Sequence, residues 1–220
     1  MKKLLFPVLL LLPLILSGQG NDFGIWAGIT GKHEFSKKLD AELFLSTRTT
    51  DNTSVLDQYF AEAGMNYKII KYLSAGGSVR LINKLEDDGN YHFRQKFYFY
   101  LKGEVPVGRF DFSGRLTYQR AVMSYVEDEG DPQSENYLRF KVKAAFETKI
   151  SPLSPFISFE PFFPVFDDTK NGIEKTRASA GCELKITRKS SVEAAFVLEN
   201  FTREGKAGKN ILSLGFQQVF

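Results

Sequence analysis

From residue 20 onward, apolar and aromatic residues recur at every second position, and the residues between them are mostly charged or hydroxylated. A period of two belongs to strands, because successive side chains point to opposite faces of an extended chain. Between Tyr91 and Lys102, one parity holds Tyr91, Phe93, Phe97, Phe99 and Leu101, interrupted only by Gln95. The other holds His92, Arg94, Lys96, Tyr98, Tyr100 and Lys102. Leu138, Phe140, Val142, Ala144 and Phe146 alternate in the same way with Arg139, Lys141, Lys143 and Glu147. So do Phe110, Phe112, Leu116 and Tyr118 with Asp111, Ser113, Arg115, Thr117 and Gln119. Helical periodicity would scatter these sets around an axis.

This pattern predicts strands over 23–35, 39–50, 57–69, 73–84, 91–103, 110–122, 135–149, 155–166, 174–187, 191–203 and 209–220. Strands of soluble proteins peak at about 5 to 6 residues, whereas a tilted strand crossing a bilayer needs about 9 to 11. The predicted segments match or exceed the second length. Their connections alternate as well. Those at 36–38, 70–72, 104–109, 151–154 and 188–190 are short, and those at 51–54, 85–90, 123–134, 167–173 and 204–208 are longer and polar. Short turns on one rim and longer loops on the other are the habit of outer-membrane barrels. Three of the long connections are acidic, through Glu86, Asp87 and Asp88, then Glu127, Asp128, Glu129 and Asp131, then Asp167 and Asp168.

The fold expected is all-β, an antiparallel transmembrane barrel of 10–12 strands with short periplasmic turns. Eleven segments conflict with the even count of bacterial single-chain barrels, so twelve strands are preferred. The segment 23–35, punctuated by Gly24, Gly28 and Gly31, is the one expected to split in two or to fall outside the barrel.

Ahead of these strands, Lys2 and Lys3 are followed by an apolar run from Leu4 to Leu16 and then by Ser17, Gly18, Gln19 and Gly20. A charged start, a short apolar stretch and small residues make a signal peptide rather than a spanning helix. Residues 1–19 are therefore expected to be removed, with the cut after Gln19, leaving one barrel domain over 20–220. The single cysteine, Cys182, excludes an internal disulfide and stands too far along to be a lipoprotein anchor. Removing Lys2 and Lys3 from the 29 basic residues leaves 27 against 26 acidic ones, a balance that argues against nucleic-acid binding.

A soluble sandwich would also alternate. The export signal, the strand lengths and the last segment separate the two, because Leu212, Leu214, Phe216 and Phe220 share one parity. This terminal pattern resembles the recognition signal of barrel assembly. An open edge in lipid would leave backbone groups unpaired, so the last strand must close onto the first. The partners implied are outer-membrane lipids, lipopolysaccharide and the barrel-assembly machinery.

Several short motifs carry a closer likeness. Trp26, then Lys37, Lys38 and Leu39 ahead of a strand ending at Arg48, then Asp57, Gln58, Tyr59 and Phe60 leading to Gly64 and Tyr67, resemble the family catalogued as domain of unknown function 2490. Tyr137, Leu138 and Arg139, and Leu214, Gly215 and Phe216, extend the resemblance along nearly all of the chain after residue 20. It implies a small Bacteroidota-type outer-membrane barrel and brings no catalytic residues.

With the apolar parity outward, the lumen receives a basic wall of Arg94, Lys96, Arg115, Arg139, Lys141 and Lys143 on three consecutive strands. An acidic counter-wall of Glu42, Glu62, Glu160, Glu183, Glu193 and Glu199 lies elsewhere around the ring. The two walls either pair across a narrow lumen and fill it or leave an anion-preferring interior, and at this strand number the filled lumen is the expectation.

Catalysis finds little support. A hydrolase or acyltransferase needs a nucleophile beside a base, and His33 and His92 both lack a serine two positions away. One cysteine and two separated histidines supply no transition-metal set, and the acidic loops lack EF-hand spacing. No cofactor is expected. Trp26, Tyr59, Tyr67, Tyr91, Tyr118, Tyr125 and Tyr137 are expected as interfacial anchors. The function expected is a structural or surface-interaction barrel of the outer membrane. A narrow channel for a small anionic solute is the alternative, and a lipid-modifying enzyme is a third.

Overall fold

The structure is a computed structural model that describes residues 22–126, 133–148, 152–167, 172–202 and 207–220. The expected signal peptide at 1–19 lies outside the described residues, as do the acidic residues Glu127, Asp128, Glu129, Asp131 and Asp168.

Eleven strands follow one another along the chain: β1 (Asp22–Glu34), β2 (Leu39–Thr50), β3 (Val55–Ile70), β4 (Leu73–Leu85), β5 (Tyr91–Val107) and β6 (Phe110–Met123), then β7 (Ser134–Phe146), β8 (Leu153–Pro164), β9 (Lys175–Lys185), β10 (Ser190–Phe201) and β11 (Lys209–Val219). Each pairs antiparallel with its neighbour in sequence, and β1 pairs with β11 to close the barrel. The preferred count of twelve is thereby corrected to eleven. The physical reason is the closing seam, since β1 and β11 run parallel, from Asp22 opposite Lys209 to Lys32 opposite Val219. A parallel seam lets an odd number of strands close without a free edge.

The segment 23–35 is one continuous strand inside the wall. Its Gly28 is required by packing, because a Cβ there would sit 2.4 Å from the Phe44 ring, which lies across it from β2. Gly76 on β4 serves the Tyr100 ring of β5 in the same way, with 2.4 Å to a would-be Cβ. A neighbouring aromatic covering a strand glycine restores the side-chain packing that the glycine lacks.

The strands are steeply staggered. The row that starts at Glu34, the last residue of β1, runs through Asp40, Asn66, Gly76, Tyr100, Thr117, Arg139, Phe162 and Lys175 to Phe201, the last residue of β10. One end of this row stands at the rim of short turns and the other at the rim of long connections. Tilt and stagger of this kind are what closing a sheet demands.

The short turns are made locally. The Ser36 hydroxyl accepts from the amides of Lys38 (3.2 Å) and Leu39 (3.0 Å), and Gly108, with φ +65°, makes the tight turn between β5 and β6. At the other rim, the Asp22 carboxylate accepts from the Asn52 amide (2.9 Å) and from the Thr50 hydroxyl, fixing the β2–β3 connection beside the seam.

Large apolar side chains cover the outside of the wall, among them Leu43, Leu45, Leu81, Phe99, Phe140, Ile157 and Phe159. Phe99, at the middle of β5, is 62% exposed. Leu214 and Phe216 are exposed on this same face of β11, and Phe220 follows, its amide donating to the Lys32 carbonyl (2.9 Å).

Candidate functional site in the lumen

The opposite parity of every strand points inward, and the stagger sorts these residues into two halves. Toward the long connections the lumen is packed. Four guanidinium groups alternate there with four aromatic rings. Arg48 lies 3.9 Å from the Trp26 ring centre and 5.0 Å from that of Phe60; Arg80 lies 4.0 Å from Phe60 and 5.2 Å from Tyr98. Arg139 is 4.5 Å from Phe162, and Arg177 stands between Phe162 (4.9 Å) and Trp26 (5.0 Å). The rings come from β1, β3, β5 and β8, so this layer reaches right round the barrel. Desolvated cation–ring contacts of this kind are each worth about 2 kcal/mol. Ile82 and Ile211, each 1% exposed, are packed into the same half.

Carboxylates complete the layer. Glu62 takes Arg80 (2.5 Å), Glu160 takes Arg139 Nη2 (2.8 Å), and Glu199 takes Arg177 Nε (2.5 Å) and Lys175 (3.6 Å). Arg139 Nη1 also donates to the Gln119 side-chain oxygen (2.9 Å). Each of these carboxylates sits on the strand next to its main partner, within the short cross-strand reach that register fixes.

Toward the short turns most inward positions are small or polar, with Phe44, Tyr100 and Phe156 among them, and the lumen holds cavities. One cavity of about 450 Å³ is bounded by Gly28, Thr30, Glu183, Ser191, Gly215 and Gln217, and another of about 580 Å³ by Lys102, Ser113, Arg115, Lys141 and Glu183. A third, of about 340 Å³, lies against the arginine–aromatic layer, and Lys143 borders all three.

The structure thus divides the basic wall read from sequence. Arg139 belongs to the closed layer. Arg94 reaches the Glu86 carboxylate beside the β4–β5 connection, where Lys84 also bonds (3.0 Å). Lys143 joins Glu193 (3.5 Å), a pair that links β7 to β10 across the lumen, whereas the pairs in the layer form between neighbouring strands. Lys96, Arg115 and Lys141 border the third cavity with no ion pair among the described residues. Of the acidic set, Glu62, Glu160, Glu193 and Glu199 are paired, and Glu183 lines the open cavities.

Arg80, Lys175 and Arg177 escaped the sequence reading, and Arg48 entered it only through the family likeness, although all four share the inward parity of Glu62 and Glu199. A count of inward charges on every strand would have found them. The expectation that Trp26 and Tyr137 anchor an interface is corrected, because both point into the lumen. Trp26 borders the third cavity, and Tyr137 is buried with its hydroxyl on Glu174 (2.9 Å). Their parity, shared with Arg139 on β7 and with Thr30 on β1, decides this over their position near strand ends.

Beside the long connections, His92 Nε2 meets the Asp88 carboxylate at 2.8 Å and its ring stacks on Tyr125 at 4.2 Å. This hydrogen bond to His92 holds the Asp88 carboxyl low, at about 2. The Ser124 hydroxyl, on the adjoining segment, donates to the Phe93 carbonyl (2.7 Å). His33 lies at the opposite rim, edge-on to Phe35 at 4.8 Å. Among the described residues, no three His, Cys, Asp or Glu side chains gather to hold a metal ion.

The family described as "Protein of unknown function (DUF2490)" matches residues 23–210. No curated protein matches the sequence. Two solved structures are similar to the chain at 12% identity. One, described as "NanC porin structure in rhombohedral crystal form", is covered over 90% of its length by 82% of this chain, with a TM-score of 0.49. The other, from work described as "Unveiling the Mechanism Behind the in-meso Crystallization of Membrane Proteins", is covered over 68% of its length by 80% of this chain, with a TM-score of 0.40.

Proposed function

The chain belongs to the family of proteins of unknown function DUF2490, and from that premise we propose that it is an outer-membrane barrel with a structural or surface-interaction role and a lumen closed to free diffusion. A wall with apolar side chains outward, charged side chains inward and no unpaired edge suits a bilayer, where each backbone group must find its partner within the protein. The arginine–aromatic layer carries the closed-lumen part of the reading, because its rings, guanidinium groups and carboxylates reach across the lumen from strand to strand around the barrel.

Conductance across a planar bilayer tests it. The folded protein is expected to give no resolved current steps, and the triple variant R48A/R80A/R177A is expected to give them. Regular steps from the unaltered protein would overturn the closed lumen. Fractionation of the producing cells, with the intact mass of the extracted protein, tests location and export. The protein is expected in the outer membrane with Gly20 as its first residue.

The narrow anion conduit is the second reading, favoured by the surplus of cations around the third cavity. It requires the layer to rearrange, and current steps that prefer anions in the unaltered protein would select it.

A further inference from the structure

The cavity of about 340 Å³ is bordered by Arg48, Arg80, Lys96, Arg115, Arg139, Lys141, Lys143, Lys175 and Arg177 but only by Glu135, Glu160 and Glu193 among acids. Glu62 and Glu199 add two carboxylates from behind, on Arg80 and Arg177. After these pairs are formed, Arg48, Lys96, Arg115 and Lys141 have no carboxylate partner among the described residues. Arg48 and Arg115 each keep a buried Nε–H with no acceptor.

Taking a cation out of water without a counter-charge is costly, and an unmet N–H adds to that cost. A filled structural core would match its charges, as the Arg139–Glu160 and Arg177–Glu199 pairs do a few ångströms away. Around this cavity cations outnumber carboxylates while room remains, and the polar side chains Gln119, Ser158 and Ser179 share the border. A compact oxyanion supplies the absent charge and several acceptor atoms at once, and charge-assisted bonds from guanidinium and ammonium groups are the strong ones.

We propose that this cavity is a binding site for a small oxyanion with two or more negative charges, held by Arg48, Lys96, Arg115 and Lys141 among the arginines and rings of the layer. Phosphate and carboxylate groups offer the same chemistry here. The anion enters from the short-turn rim, where the cavities bordered by Lys143 are open, so the closed barrel is a cup with a charged floor. The site does not depend on conduction, and a silent bilayer recording says nothing against it.

The protein contains one tryptophan, and Trp26 borders the cavity, so its fluorescence reports occupancy directly. The folded, detergent-solubilised protein is titrated with inorganic pyrophosphate, with citrate, and with chloride at matched ionic strength. Saturable changes are expected with pyrophosphate, citrate or both, and whichever binds tighter assigns the phosphate or the carboxylate class. The K96M/K141M variant is expected to bind that probe at least about tenfold more weakly, the loss of two charge-assisted contacts. Because both replacements remove unmatched charges, the ligand-free variant should melt no lower than the parent, which shows that it folds. Lys71→Met, in the exposed β3–β4 turn, should change nothing. Responses to pyrophosphate and citrate no greater than to chloride up to about 10 mM, the edge of useful affinity, would overturn the site. So would unchanged affinity in K96M/K141M.

Discussion

The two halves of the lumen are built from the same strands and the same alternation, yet they fill differently. Toward the long connections, inward positions carry Trp26, Phe60, Tyr98 and Phe162 with arginines stacked between them. Toward the short turns inward positions of β1, β2, β6, β8 and β11 offer Thr30, Glu42, Ser113, Ser158 and Gly215. Among the described residues of the first half, Arg80, Arg139, Lys175 and Arg177 are paired with carboxylates and Arg48 is not; in the second, Lys143 is paired with Glu193, and Arg115 and Lys141 are not paired. The same residue types therefore serve as packing material at one height and as free binding groups at another, and side-chain size on the neighbouring inward positions decides which.

The largest separation between the halves should come from their ion pairs. Glu199→Ala strands Arg177 in the packed layer and should cost about 3–5 kcal/mol, as breaking a buried pair does. Glu193→Ala, whose partner Lys143 is 3.5 Å away in the open half, should cost at most about 1 kcal/mol. Urea unfolding in lipid vesicles measures both, and equal losses would remove the distinction.

The outside of the wall should show no such division. Phe99→Arg, at mid-height, is expected to destabilise by about 2–4 kcal/mol in a bilayer, the cost of a cation at the midplane. The same urea titration reads it, and a neutral outcome would place Phe99 outside the apolar region of a membrane.

The smallest effect concerns the β4–β5 connection, beyond both halves. Asp88 is held below its ordinary value of 3.8, near 2, by its bond to His92. A lowered carboxyl contributes to stability fully above its unfolded value and loses that contribution as pH falls through the folded one. The Asp88 carbon resonance should therefore titrate near pH 2, and higher in His92→Ala, where the Asn90 amide still donates to the carboxylate.

Much of the wall was legible in the sequence because a period of two is a local signal. The segment 39–50 coincides with β2, and most other strand ends lie within two residues of expectation. β5 runs further than expected, to Val107, because Val105, Pro106 and Val107 pair with Phe112, Asp111 and Phe110 beyond the end of β4. The stretch 104–109 reads as a connection, and Pro106 is tolerated in the strand because it is flanked only by β6. The division of the lumen was not legible. Height in a tilted barrel depends on stagger summed over every strand, so Trp26 and Arg177 become neighbours through a register that no single segment reveals.

The parallel seam makes β1 separable in principle from the rest. Strands β2 to β11 alone would be ten antiparallel staves, the first rising from the short-turn rim and the last descending to it, with facing edges already oriented to pair. On that view β1 is a stave wedged into an otherwise complete hoop. It enlarges the circumference by one strand and contributes Trp26 to the interior, and it moves the start of the barrel to the opposite rim from its end. Whole hairpins added or lost elsewhere would keep this arrangement, whereas loss of β1 alone would return the wall to an even count.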